Sequence, residues 1–118
     1  MINNDQILEI KKRLEQLSKY LDINSKKEDL LLLEKKMLDN NFWDNPKNAE
    51  KTLKSKKEIE KWVKSFNIIQ NNLDEINIFI ELNADKKEIN SKYDETIRAL
   101  ESLEFKKMLS SKDDSLNG

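Results

Sequence analysis

The sequence predicts an all-α protein, an elongated bundle of four helical segments built on a long antiparallel helical hairpin. Three observations lead there. The 118 residues include one Gly and one Pro, too little material for the tight turns of β-hairpins. Charged residues make up 38% and hydrophobic residues 36%, which suits long helices showing one apolar stripe each. Apolar residues also recur at intervals of three and four over long uninterrupted stretches. The length suits one domain.

The first helix is expected over about 5–21. Ile7, Ile10, Leu14, Leu17 and Leu21 are spaced 3-4-3-4, and Asn4 or Asp5 can cap its start. Ser25-Lys26-Lys27-Glu28 reads as a capping box opening a second helix over about 26–39, with Leu30, Leu33 and Met37 inside. Leu31, Leu32 and Leu38 widen its apolar face toward two neighbours. Asn40 and Asn41 stop it. Pro46 fits the first turn of a third helix over about 46–82, capped by Asn45 or Asp44. This helix carries the strongest periodic signal: Ile59, Trp62, Phe66, Ile69, Leu73, Ile76 and Ile80. Helical throughout, it would be a rod of roughly 55 Å at ~1.5 Å per residue. Asp85 with Glu88 opens a fourth helix over about 86–109, its core side carrying Ile89, Tyr93, Ile97, Leu100, Leu103 and Met108. The turn between the last two helices is so short that they must run antiparallel. From residue 110 the chain turns polar, and 110–118 reads as an exit segment from the domain formed by 1–109.

Composition also excludes functions. Lys plus Arg (22) nearly balances Asp plus Glu (23), with the charges interleaved, so little direct nucleic-acid binding is expected. Without Cys or His the usual zinc ligands and the Ser-His, Cys-His and His-base forms of catalysis are absent. Carboxylate pairs such as Asp113 with Asp114, or Glu101 with Glu104, arise by chance on so acidic a surface. No catalytic residue, metal site or cofactor is expected. The Lys pairs, such as Lys56-Lys57 and Lys86-Lys87, read as solvated helix faces rather than phosphate clamps, with contact between some of them and RNA phosphates as the lesser alternative. No apolar run could span a bilayer and the N-terminus has no signal-peptide core, so a cytoplasmic, soluble protein is expected.

Phe42 and Trp43 stand side by side where the chain leaves the second helix. They read as a structural plug sealing the end of the bundle, or as a docking site of paired aromatics. A fully buried Trp43 would be worth ~3–5 kcal/mol. This segment, NNFWDNPKNAEK, together with the long amphipathic helix and LESLEFKKMLSSKDDS, resembles the N-terminal helical domain of the bacterial peptide chain release factor 2 family. The resemblance runs over essentially the whole chain. Its most specific pieces are Phe42-Trp43-Asp44-Asn45-Pro46 and Leu103 to Ser110.

The resemblance implies a non-catalytic domain of a translation termination factor that reads UGA and UAA. The family's Ser-Pro-Phe tripeptide and Gly-Gly-Gln loop have no counterpart here, so the chain resembles an isolated first domain followed by an absent decoding domain. In the family this domain docks at a protein of the large ribosomal subunit's stalk base and is linked to the recycling GTPase. Asn83, Ala84, Asp85, Lys86 and Lys87, at the hairpin tip, are the candidate contact, or simply a solvated turn. A competing reading is a self-associating coiled-coil scaffold using Ile59 to Ile80. Caps that split the pattern into unequal segments favour the intramolecular bundle and a monomer.

Overall fold

A computed structural model describes the backbone of residues 2–117 and the side chains of residues 2–111. Among the described residues there are four α-helices: α1 (Asn4–Leu21), α2 (Ile23–Met37), α3 (Pro46–Glu81) and α4 (Lys86–Asn117). A short 3-10 helix, Asn40–Asp44, lies between α2 and α3, and no strand occurs among the described residues. The all-α helical bundle expected from the periodicity is therefore present. The chain forms two compact units, one of Met1–Leu21 with Ser65–Gly118 and one of Asp22–Lys64.

Most helix ends follow from local hydrogen bonding, and several differ from expectation. The cap of α1 is Asn3, one position before Asn4: its side chain accepts the Gln6 N–H at 2.9 Å, and its own N–H donates to Gln6 Oε1 at 2.9 Å. That reciprocal pair is a capping box with Gln as its second member. The Ser25–Glu28 box is not used, because α2 already starts at Ile23. A single left-handed residue, Asp22 (φ 51°, ψ 54°), interrupts the helical ladder instead, a conformation that Asp tolerates better than most residues. At the other end α2 stops at Met37 rather than 39. Asp39 is extended and its carboxylate accepts the Asn41 N–H at 3.0 Å, so it caps the 3-10 segment instead.

Asn45, not Asp44, caps α3, accepting the Asn48 N–H at 3.3 Å ahead of Pro46. α4 starts as expected, with Asp85 accepting the Lys87 N–H at 3.3 Å. Its end differs. The helix expected to stop near 109 runs on to Asn117, because Ser110 and Ser111 cost little helix propensity and no Pro or Gly intervenes. The side chains of the 112–118 part of the polar exit segment, including Asp113 and Asp114, lie outside the described residues.

The first unit contains a three-helix core. Ile7, Ile10, Leu14, Leu17 and Leu21 of α1 are buried, as are Phe66, Ile69, Leu73 and Ile76 of α3 and Leu100 and Leu103 of α4. Each such side chain contributes about 1.5–3 kcal/mol of transfer free energy. The hairpin is antiparallel: Lys92 Nζ meets Glu75 Oε2 at 2.7 Å, and these two residues are equidistant from the turn. Toward the far end of α4, Arg13 forms a two-pronged pair with Glu104, with Nε–Oε2 at 3.0 Å and Nη2–Oε1 at 2.6 Å. Lys107 Nζ sits 4.3 Å from the ring centre of Tyr20, so α1 runs in the same direction as α4. The hydrogen bond to Glu104 outweighs partial burial and holds the Arg13 guanidinium above its ordinary pKa.

The apolar stripes drift from the expected positions. Val63 is buried while Ile59 and Trp62 are half-buried, as a 3.6-residue turn read against a 3.5-residue repeat requires. Ile80, in the last turn of α3, and Met108 are exposed rather than core. In the first half of α4 the fully buried position is Thr96, whereas Ile89, Tyr93 and Ile97 are half-buried. Its hydroxyl donates to the Lys92 carbonyl at 2.6 Å, so the helix itself satisfies the polar group and the methyl can face the core.

Within Asp22–Lys64 the buried apolar side chains are Ile23, Ala49 and Val63 among the described residues. Leu31, Leu32 and Leu38 do not face two neighbours. All three are exposed, Leu38 by 82%, because α2 lies against the 3-10 segment, which is too short to cover more than one side.

Two predictions follow from this packing. The Asn72 amide is buried and its Nδ2 has no hydrogen-bond partner among the described residues. Asn72→Leu removes that desolvated donor and should raise the unfolding free energy by about 1 kcal/mol, read by urea denaturation with an unchanged m-value. The Lys92 ammonium is held above its ordinary pKa of 10.5, first by its hydrogen bond to Glu75. A raised folded pKa contributes stability below the unfolded value that is lost as pH rises through the folded one. The stability gap between the wild type and Lys92→Met should therefore be constant from neutral to mildly alkaline pH and close above it, in melts taken across that range.

Candidate functional site

The tip of the hairpin is built by a Schellman motif. The N–H of Ala84 bonds to the Phe79 carbonyl at 2.9 Å and that of Asn83 to the Ile80 carbonyl at 3.2 Å. The motif requires one left-handed residue, and Asn83 supplies it with φ 55°, a conformation Asn tolerates better than most residues. Asn83, Asp85, Lys86 and Lys87 are all exposed, while Ala84 is half-buried. The tip is less polar than its sequence suggests, because Leu82 is 74% exposed beside them. An open cleft of about 360 Å³ adjoins it, with Ile2, Ile80 and Ile89 as apolar walls and Asn83, Lys86 and Asn90 at its polar edge. Sequence periodicity placed Ile80 and Ile89 in the core and passed over Leu82. A leucine between the last core position and the turn was the available signal.

Phe42 and Trp43 lie in the 3-10 segment and contact each other edge to face, with ring centres 4.8 Å apart at 88°. They do not form a buried plug: Phe42 is half-buried and Trp43 is 55% exposed. The short 3-10 turn explains this, since adjacent side chains on three residues per turn diverge by about 120° and cannot both point inward. Trp43 instead borders an open cleft of about 590 Å³ together with Pro46, Ala49 and Leu53 and the stems of Lys54 and Lys57.

Among the described residues no arrangement suggests chemistry at a metal. Glu104 is engaged by Arg13, and no group of acidic side chains able to hold a metal ion occurs among the described residues. No helix among them is long and apolar enough to cross a membrane. Within the stripe from Ile59 to Ile80, Phe66, Ile69, Leu73 and Ile76 are buried in the chain's own three-helix core.

Comparison with known proteins matches residues 26–117 to the model of the PCRF domain family. The chain is also 25% identical over 116 residues to a protein described as peptide chain release factor 2 from Petrotoga mobilis, strain DSM 10674 / SJ95. That alignment covers 95% of this chain and 32% of the relative, so the chain spans about a third of the relative's length.

The family match includes the Phe42–Trp43 segment. With more than half of the indole already in water, Trp43→Ala should lower the unfolding free energy by no more than about 1 kcal/mol, well below the cost of emptying a core site. Denaturant titration of the purified variant checks this. A loss several-fold larger would mean that the ring is buried.

Proposed function

Because the chain belongs to the PCRF domain family, we propose that it is the non-catalytic N-terminal domain of a cytoplasmic translation termination factor of the UGA- and UAA-reading type. The observation that carries this reading is the family match across residues 26–117, joined by an alignment to a named release factor that covers nearly all of the chain. A Gly-Gly-Gln loop cannot be present in 118 residues that hold one glycine, so hydrolysis of the peptidyl bond is not assigned to this domain.

Its task is to dock the factor on the ribosome, at a protein of the large-subunit stalk base, and to meet the recycling GTPase. The hairpin tip, Asn83 to Lys87, is the proposed contact. Two packed helices hold it stiffly, the Schellman turn fixes its backbone, and Leu82 adds an apolar anchor amid polar groups. That mixture is typical of a small protein–protein contact. The domain acts as a monomer.

Co-sedimentation with purified large ribosomal subunits tests the assignment. The wild-type chain should pellet with them, and Leu82→Ser with Lys87→Glu should weaken binding about tenfold, equivalent to ~1.4 kcal/mol, at unchanged helicity. If the wild type binds neither subunit, the docking role fails. Binding unaffected by the tip changes would place the contact elsewhere.

A further inference from the structure

The near-neutral net charge conceals a strong local segregation. Residues 46–64, the first half of α3, hold seven lysines and three glutamates, a charge of +4 within a chain whose net charge is −1. Six of those lysines, Lys47, Lys51, Lys54, Lys57, Lys61 and Lys64, follow one another at steps of three or four and share one helix face. All six are exposed. At ~1.5 Å of rise per residue they present a cation every ~4.5–6 Å along a straight line.

Pairing within the helix leaves most of this charge available. Lys54 reaches Glu50 at 3.4 Å and Lys61 reaches Glu58 at 3.8 Å, both in exposed pairs of the weak i,i+3 and i,i+4 kind. Lys47, Lys51, Lys57 and Lys64 have no ion-pair partner among the described residues. At the head of the stripe stands Trp43, its indole half in water and braced edge-on by Phe42. The open cleft beside it is lined by Lys54 and Lys56, paired with Glu50 and Glu60, and by the unpaired Lys57, so a flat aromatic face and a net positive charge border one depression.

We infer that the first half of α3, headed by Trp43, is a binding surface for single-stranded nucleic acid. The lysine line tracks the phosphates, and the indole offers a stacking platform for one unpaired base. An acidic protein could satisfy the lysines and use the ring as an anchor, but the regular three-and-four spacing of the cations matches a repeating phosphate backbone better than the irregular carboxylates of a protein surface. The expectation of little nucleic-acid binding rested on the whole-chain balance and on charges read as interleaved, and the stripe over 47–64 departs from both. The inference does not depend on the hairpin tip.

The test is fluorescence anisotropy of the full chain with a labelled oligouridylate or oligothymidylate of about 12 nucleotides, within the usual site size. With four unpaired lysines engaged, log K against log salt should fall with a slope of about −3. Replacing Lys47, Lys51, Lys57 and Lys64 together by Gln should weaken binding more than about tenfold and flatten the slope. The matching replacement of Lys11, Lys12, Lys86 and Lys87 should leave both unchanged. In a Trp62→Phe background, binding should quench the remaining indole emission. Absence of binding at low salt, equal losses in the two quadruple variants, or unquenched Trp43 would overturn the inference. So would equally tight binding of a polyglutamate peptide of the same charge, which would point to an acidic protein instead.

Discussion

Exclusion of water from one seam underlies the first unit. Ile69 and Ile76 of α3 are wholly buried, and so are Ile10 of α1 and Leu100 and Leu103 of α4 within a few per cent. None of these three segments could remain helical alone with so many polar residues, because helix propensity is a weak force compared with burial of an amphipathic face. The polar contacts are placed around the seam rather than inside it. Arg13–Glu104 and Lys92–Glu75 each bridge two helices at the edge of the apolar zone, where they fix register without the desolvation cost of a buried pair. Thr96 enters the seam because its hydroxyl is bonded within its own helix.

The two candidate surfaces differ in how they are held. The hairpin tip is a backbone structure, with the Schellman bonds and the left-handed Asn83 fixing it whatever side chains surround it. The α3 stripe is a side-chain structure, in which a regular helix spaces its lysines and one ring contact orients the indole. The first suits recognition by shape, the second recognition by charge. In a domain whose relative is named for peptide chain release, a protein contact and a phosphate contact are compatible tasks.

Much of the fold was legible in the sequence, since long stretches of 3-4 spacing leave one solution. Ile7 to Leu21 and Phe66 to Ile76 are buried as the periodicity requires, and Pro46 and Asp85 begin their helices as the cap rules indicate. Illegible were features decided by neighbours or by single dihedrals. Asp22 breaks the chain with one left-handed residue, so the polar box at Ser25 is overridden. Phe42 and Trp43 look like core on composition, yet a 3-10 turn cannot turn both inward. The exposed positions Ile80, Leu82 and Met108 obey the same hydrophobic code as buried ones, and only the absence of a covering element separates them.

Leu31, Leu32 and Leu38 leave α2 with a greasy flank open to solvent, beside a helix otherwise crowded with lysines and acids. Exposed apolar surface of this kind is held in solution by the charge around it, and added electrolyte weakens that protection while strengthening hydrophobic cohesion. The molecule should therefore precipitate earlier in ammonium sulfate, and cling more firmly to a phenyl resin, than its mean hydropathy of −0.85 would lead a chemist to plan for.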